Sequence, residues 1–244
     1  MSEMNRLVLM AKLSQWAYKP RPKALPQFKK LGYKTATLYD VDGAQAYVIS
    51  NDTEVVIAFR GTQPREKSDI YADLQFFKTD SLKEGKVHRG FQGEVDKLWD
   101  KLLKKIKDKE VYLTGHSLGA AMATITAARL GNQALGLYTY GSPRVGNKKF
   151  IKNVTCSHNR VVNNNDVVTK IPFWIIGFRH HGQLLYLNYY GNIRNATWWQ
   201  RLKDGLRGRW RALKKKQPFD GIYDHKMSMY TRELEKNADN ILGS

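Results

Sequence analysis

The chain has 244 residues, with 41 Lys or Arg against 22 Asp or Glu and therefore a formal net charge of +19. This length permits one sizeable α/β domain, and the charge favours anionic partners such as phospholipid surfaces or nucleic acid. Cys156 is the only cysteine, which excludes an intrachain disulfide and is compatible with a reducing compartment. Because no cleaved signal or membrane-spanning run is recognised, we expect a cytoplasmic or peripheral-membrane protein, with non-classical export as the alternative.

The N-terminal quarter of the chain predicts a helix followed by strands. Apolar side chains recur at spacings of three and four from residue 5 to about residue 18, which predicts a helix that ends at the prolines beginning with Pro20. The Asp42-Gly43 pair supplies the positive φ of a tight hairpin turn between two strands. Residues 54–60 then form a near-continuous apolar strand, as in a sheet covered on both faces.

Two helical patterns come after that strand. Segment 62–77 is polar with a few apolar side chains at approximately helical spacing, and we interpret it as a candidate lid carrying Ile70, Tyr71 and Leu74. Residues 91–107 have a wide apolar stripe opposite lysines, which predicts an amphipathic helix packed on the core.

The pattern G-x-S-x-G occupies residues 115–119. β-favouring residues precede it, and an alanine-rich pattern that ends at Gly131 follows it, so we expect a strand, a sharp turn and a helix. In this context we interpret Ser117 as a nucleophile, and the alternative is a purely structural turn.

Two more apolar strands, 135–140 and 160–163, follow the predicted elbow. Their alternation with helical patterns predicts crossover connections and a largely parallel sheet. Since no repeat or low-complexity linker divides the chain, residues 1–244 are expected to form a single domain.

A serine nucleophile requires a histidine base and a carboxylate that orients this base. In α/β-hydrolase-type sheets both follow the serine along the chain. Asp166 is the preferred acid because it comes just after an apolar strand, where the carboxyl ends of parallel strands meet. Asp204 and Asp220 have polar, flexible contexts, and Asp224 is interpreted as the N-cap of the last helix.

His225 is the preferred base because it stands at the start of the C-terminal helical pattern and can project from a fixed element. His180 and His181 are its rivals, and we interpret them as strand-edge histidines hydrogen-bonded to backbone. His116 is assigned to packing and His88 to a structural role.

The tetrahedral intermediate of acyl transfer needs two hydrogen-bond donors for its oxyanion. Leu118 follows the predicted nucleophile, and Thr62 follows Gly61 at a strand end. The backbone N–H groups of these two residues are therefore the candidate donors, with the Thr62 hydroxyl assisting.

Several segments together make the chain resemble a class 3 lipase, the fungal-lipase-like branch of the α/β-hydrolases, in a compact bacterial or phage-like form. The matching segments are residues 59–62, 72–74, 87–91, 115–119, 140–147, 165–172 and 224–225. This resemblance implies an α/β-hydrolase fold with a largely parallel central sheet flanked by helices.

The resemblance also implies a catalytic triad of Ser117, Asp166 and His225, with Thr62 and Leu118 as the oxyanion hole. Such an enzyme hydrolyses lipid esters through an acyl-enzyme and requires no metal or organic cofactor. Two departures limit which family properties transfer to this chain. The secreted fungal members carry disulfides and a signal peptide, so secretion is not implied here. Their common lid tryptophan corresponds to Ile70, so interfacial activation through this lid is not implied either.

A basic, tryptophan-rich insertion around residues 173–220 separates Asp166 from His225. Its first aromatic residues, Phe173 and Trp174, are candidates for the substrate site or lid. Farther along, apolar side chains fall on one helical face with basic residues around them, which is typical of a helix on an anionic lipid surface. The membrane-surface candidates are Trp199, Trp210, Arg207, Arg209 and Arg211. In the alternative, the tryptophans pack on the domain and the charges form a solvated face.

The leading functional hypothesis is a serine carboxylester hydrolase, a triacylglycerol lipase or esterase. The alternatives are a phospholipase A acting on anionic membranes and a non-catalytic lipase-like module that binds lipid or protein. The hypothesis that the protein binds nucleic acid rests on charge alone, because no nucleic-acid-binding motif is found in the sequence. The expected partners are a lipid ester substrate and an anionic membrane or lipid–water interface, without specific nucleic acid.

Overall fold

A computed structural model describes residues 1–61, 77–107, 109–194, 203 and 223–242, without the side chains of residues 194 and 240–242. The strands are β1 (Thr35–Val41), β2 (Ala44–Ser50), β3 (Val55–Phe59), β4 (Lys78–Asp80), β5 (Lys86–His88), β6 (Val111–His116), β7 (Ala134–Tyr140), β8 (Ser157–Asn163), β9 (Gln183–Leu187) and β10 (Ile193–Arg194). The helices are α1 (Glu3–Trp16), α2 (Arg21–Lys30), α3 (Arg89–Ile106), α4 (Leu118–Leu130), α5 (Lys148–Ile151) and α6 (Met227–Leu242), and short 3₁₀ turns include Val168–Lys170 and Trp174–Ile176.

The central sheet contains eight of these strands in the order β1-β2-β3-β6-β7-β8-β9-β10. Neighbours from β3 through β9 are parallel, whereas β1, β2 and β10 pair antiparallel at the two edges. The prediction of a largely parallel sheet is thus confirmed. A separate antiparallel pair joins β4 to β5.

Helices cover both faces of this sheet. Strand β3 is buried along its whole length, and its side chains alternate between two apolar clusters. Ile57 faces the cluster that contains Val95 of α3 and Ile125 of α4. On the other face, Val56 and Ala58 belong to the cluster formed with α1, α2 and α6. This two-sided burial explains the unbroken apolar pattern of the strand.

Helix α2 departs from the sequence expectation, because residues 21–30 are helical although the prolines predicted an end to helical structure. Pro22 lies in the first turn, where backbone N–H groups have no intrahelical partner. Pro26 lies inside the helix and removes one backbone donor. Burial of Ala24 and Phe28 against the sheet offsets that loss.

The predicted hairpin is confirmed. Asp42 and Gly43 have φ values of 48° and 84°, and Val41 pairs with Ala44 across the two-residue turn. Within the part of the chain that the structure describes, no helix is both long enough and apolar enough to cross a membrane.

Candidate active site

Ser117 occupies a sharp turn between the end of β6 and the start of α4. Its φ is 59°, an unusual value for a non-glycine residue, and its side chain lies at the carboxyl edge of the sheet. The flanking glycines permit close approach: a Cβ on Gly115 would lie 2.3 Å from the carbonyl oxygen of Gly119, and one on Gly119 would lie 2.4 Å from that of Phe59. Side chains at either glycine would separate the strand from the helix.

The structure brings Ser117, His225 and Asp166 into direct contact. His225 Nε2 lies 2.8 Å from Ser117 Oγ, and His225 Nδ1 lies 2.8 Å from Asp166 Oδ2. Asp166 is fully buried, and His225 and Ser117 are 5 % and 9 % exposed. A serine, an imidazole and a carboxylate linked in this order can activate the hydroxyl as a nucleophile.

Asp166 is held by more than the histidine. Its Oδ2 also accepts a hydrogen bond from the Tyr230 hydroxyl at 2.5 Å, and its Oδ1 accepts from the backbone N–H of Val168 at 2.9 Å. Burial by itself raises the pKa of Asp166, but the electrostatic interaction with His225 and the hydrogen bonds from His225 and Tyr230 lower this pKa by more, so the net pKa falls below its usual value. Burial and the nearby Asp166 raise the pKa of Tyr230, which therefore remains a hydroxyl donor.

Asp224 connects the loop of the acid to the loop of the histidine. Its Oδ2 accepts from the backbone N–H of Asn165 at 3.1 Å and from Asn164 Nδ2 at 3.0 Å. The interpretation of Asp224 as the N-cap of the last helix is wrong, because α6 begins only at Met227. Its carboxylate accepts hydrogen bonds from the loop after β8 instead.

The sequence assigns His116 to packing, but the structure places this residue in the hydrogen-bond network of the site. It is buried, its Nε2 lies 2.6 Å from the His225 carbonyl oxygen, and its Nδ1 lies 2.7 Å from the Tyr18 hydroxyl. Burial, followed by the charge of His225, lowers the pKa of His116 to about 3, so its ring is neutral at ordinary pH. Since a carbonyl oxygen only accepts, Nε2 carries the proton and Nδ1 accepts from Tyr18.

Gly61, just after β3, lies next to the Tyr18 hydroxyl, because a Cβ on Gly61 would lie 2.4 Å from that oxygen. The hydrogen-bond path itself runs from Tyr18 through His116 to the backbone of His225. The only signal of this path in the sequence is a polar residue, His116, directly before the predicted nucleophile. Tyr18 lies 98 residues from His116, and no local pattern links them.

Gly141 lies against the histidine–aspartate pair. Its φ is 57°, and a Cβ there would lie 2.7 Å from Asp166 Oδ2 and 2.9 Å from His225 Nδ1. Any larger residue at this position would be strained and would push the pair apart.

The other predicted site residues have different outcomes. Leu118 is the first residue of α4, directly after Ser117. Phe173 and Trp174 lie on the surface, 52 % and 61 % exposed, beyond the loop that carries Asp166. Nine further candidates lie outside the described residues: Thr62, Ile70, Tyr71, Leu74, Trp199, Arg207, Arg209, Trp210 and Arg211.

The rival histidines bond elsewhere. His180 Nε2 donates to the carbonyl oxygen of Thr169 at 2.8 Å, which matches its interpretation as a backbone-bonded residue. His181 contacts the ring of His158, with 3.1 Å between their Nδ1 atoms, rather than backbone. His88 is buried and caps α3, where it accepts from the backbone N–H of Phe91 at 3.3 Å.

Comparison with known proteins finds lipases. The family model described as Lipase (class 3) matches residues 56–175. The secreted mono- and diacylglycerol lipase A of Penicillium cyclopium is 34 % identical over 162 residues, covering 61 % of this chain and 52 % of that protein. A lipase of Rhizopus niveus is 27 % identical over 188 residues, covering 69 % of this chain and 47 % of that protein. The chain thus spans about half the length of the curated relatives that it matches.

Solved structures of lipases also superpose on this chain. The triacylglyceride lipase of Rhizomucor miehei superposes with a TM-score of 0.64 at 27 % identity, covering 76 % of this chain and 80 % of that chain. A triacylglycerol lipase described as having a serine protease triad at its catalytic centre gives a TM-score of 0.65 at 26 % identity with the same coverage.

One expectation is wrong. The sequence favoured a cytoplasmic or peripheral-membrane protein, whereas the Penicillium relatives are named as secreted lipases. A lone cysteine excludes an intrachain disulfide but does not identify a compartment, because a sheet buried on both faces can be stable in an oxidising environment without one. The family model spans Ser117 and Asp166, and the relatives and the superposed structures are lipases, so the chain has the α/β-hydrolase fold and is similar to the class 3 lipases.

Proposed function

We propose that the protein is a carboxylic ester hydrolase that acts on lipid esters, with Ser117, His225 and Asp166 as its catalytic triad. The observation that carries this proposal is the pair of 2.8 Å contacts that His225 makes, one to Ser117 Oγ and one to Asp166 Oδ2. The relatives named as lipases support the substrate class.

The hydrogen bonds specify the direction of proton transfer. Because the Asp166 carboxylate only accepts, His225 carries its proton on Nδ1, and the unprotonated Nε2 faces Ser117. As Ser117 Oγ attacks the ester carbonyl carbon, its proton moves to His225 Nε2. The same Nε2–H then protonates the departing alcohol oxygen, which leaves an acyl-enzyme. Water repeats these steps on the acyl group and releases the fatty acid.

Asp166 keeps its charge during this cycle and stabilises the imidazolium that forms. The depressed pKa of Asp166 supports that role, since its ionised form is held by Tyr230 and the Val168 N–H. The backbone N–H of Leu118, at the N-terminus of α4, is the proposed first oxyanion donor. The second proposed donor is Thr62, which follows the Gly61 that contacts Tyr18.

For the substrate, we propose acylglycerols presented at a lipid–water interface. The names of the relatives as mono- and diacylglycerol or triacylglycerol lipases support this class. The net charge of +19 specifically favours an anionic interface and makes phospholipid the second candidate substrate. We also propose an extracellular location, supported by the secreted relatives, and one domain over residues 1–244 with the insertion at 173–220.

Covalent labelling tests this function without requiring the natural substrate. Wild-type protein is expected to react with a fluorophosphonate ester and to release fatty acid from acylglycerols, whereas Ser117→Ala does neither. Ser157→Ala is the matched control, because Ser157 is an exposed residue at the start of β8. Equal labelling of wild type and Ser117→Ala would reject the mechanism. Parallel assays on acylglycerol and phospholipid decide between the two substrate classes.

A further inference from the structure

Four consecutive apolar residues protrude from the surface after the loop of the acid. Phe173, Trp174, Ile175 and Ile176 are 52 %, 61 %, 77 % and 41 % exposed. The last three form a short 3₁₀ turn, and we refer to residues 173–176 as the apolar turn. Single exposed apolar side chains are common on soluble proteins, but a run of four is unusual unless it has a function.

The base of the apolar turn is fixed next to the candidate active site. The backbone N–H of Arg144 donates to the carbonyl oxygen of Ile171 at 2.8 Å, and its guanidinium donates to that of Pro172 at 3.0 Å. Arg144 lies three residues beyond Gly141, which contacts Asp166 and His225. The protrusion therefore stands on the same edge of the sheet as Ser117.

Cations hold the two ends of the turn. Arg179 Nη1 donates to the carbonyl oxygen of Trp174 at 2.7 Å, and Lys78 Nζ donates to that of Ile176. These cations bind the backbone of the turn, whereas its apolar side chains are exposed. Lysine has three donors and arginine five, so each cation retains donors for a second, anionic partner.

The surroundings of the turn are basic. The sequence has no Asp or Glu between Asp166 and Asp204, whereas Lys170 and Arg179 lie on either side of the turn and are exposed. Exposed aromatic and aliphatic side chains ringed by cations have the chemistry of a segment that enters the interface of an anionic bilayer.

We propose that the apolar turn is the point at which the protein enters an anionic phospholipid surface, with Lys78 and Arg179 at the level of the phosphates. This inference rests on the proposed function only in that the lipid surface supplies the ester substrate. Insertion at this edge of the sheet brings the surface to the same side of the molecule as Ser117. The turn is thus a docking element within the described residues.

A second copy of the chain fits this surface less well. Side chains of this type have roughly 150–250 Å² each, so the exposed parts of these four sum to on the order of 450 Å². A stable protein interface requires about 800 Å² from each partner. A symmetric pair would also oppose cations of the same sign, whereas anionic lipid neutralises them.

Vesicle sedimentation tests the proposal in a Ser117→Ala background, where lipid is not consumed. We expect binding to phosphatidylcholine vesicles that contain phosphatidylglycerol, and weaker binding to phosphatidylcholine alone or at high salt. Replacing Ile175 and Ile176 by Ser is expected to lower the partition coefficient roughly tenfold, because two apolar side chains no longer leave water. The matched control is Leu135→Ser, which changes a 40 % exposed residue near the amino end of β7. Equal losses in both variants would overturn the proposal.

A fluorescent probe provides a direct second measurement. In a Cys156→Ser background, Ile175→Cys labelled with a polarity-sensitive dye is expected to shift its emission to the blue on addition of the anionic vesicles. The same dye on Leu135→Cys is expected to stay unchanged. The proposal is overturned if the protein sediments with vesicles while the Ile175 probe stays unchanged, if it does not sediment, or if the probe shifts through self-association without lipid. Failure of the proposed function is recognised separately, as absent hydrolysis of a soluble short-chain ester by wild type.

Discussion

The Nε2 atom of His116 lies 2.6 Å from the carbonyl oxygen of His225, and the two imidazole rings lie 4.5 Å apart between centroids. The residue immediately before Ser117 therefore holds the backbone of the residue whose ring contacts Ser117. Ser117 and His225 belong to segments 108 residues apart in sequence, and the His116 bond joins these segments next to the contact between the two side chains. We regard His116 as a positioning residue, because it acts through the backbone of His225.

Replacing His116 by Phe is expected to lower kcat roughly 10- to 100-fold with little change in KM. The change leaves the buried His225 carbonyl without its donor, which costs about 1–3 kcal/mol and loosens the base. His116→Gln keeps a donor of similar reach and should restore most of kcat. The measurement is steady-state hydrolysis of a soluble ester together with the rate of fluorophosphonate labelling. If Phe and Gln variants lose the same activity, the role of His116 is packing alone.

Gly141→Ala is expected to reduce ester hydrolysis by more than the loss of folded protein explains. The new methyl group would lie 2.7 Å from Asp166 Oδ2 and would displace the carboxylate from His225. Gly43→Ala is the matched control, because Gly43 also has a positive φ, 84°, but a Cβ there has open space. Both variants should lose about 1–2 kcal/mol of stability from the left-handed backbone. Only Gly141→Ala should lose activity per folded molecule, and equal activities would contradict the role given to Gly141.

Stability is expected to fall as the pH decreases below neutrality. The pKa of buried His116 is about 3 in the folded protein, against 6.5 for an ordinary histidine. Between these values the unfolded chain binds a proton that the folded protein does not, so the stabilisation is complete above pH 6.5 and is lost toward pH 3. Burial lowers the pKa of His158 and of His180 in the same direction.

Urea unfolding at about pH 7.5 and about pH 5.5 measures this effect, with each such histidine contributing about 1.4 kcal/mol per pH unit well below its unfolded pKa. His116→Gln should show a smaller decrease than wild type over the same interval. A free energy of unfolding that stays constant between these two pH values would contradict the neutral, buried state of the three histidines.

Local patterns were sufficient for much of the molecule. The turn at Asp42-Gly43 and the strand–turn–helix around Ser117 were predicted correctly, because a positive φ and close backbone approach require particular residues at particular positions. The chain order of serine, acid and histidine also selected Asp166 and His225, which the structure brings into contact. Composition was a poorer guide, since a single cysteine was compatible with a reducing compartment, whereas the Penicillium relatives are named as secreted.

The sequence by itself determined the parallel sheet, the elbow and the candidate nucleophile, because periodicity and turn chemistry act over a few neighbouring residues. Only the tertiary structure decided that α2 forms in spite of its prolines, that Asp224 holds the acid loop, and that Tyr18 and His116 reach the backbone of His225. Each of these depends on burial or on hydrogen bonds between distant segments. Such contacts join segments that are far apart in sequence, and no local pattern encodes them.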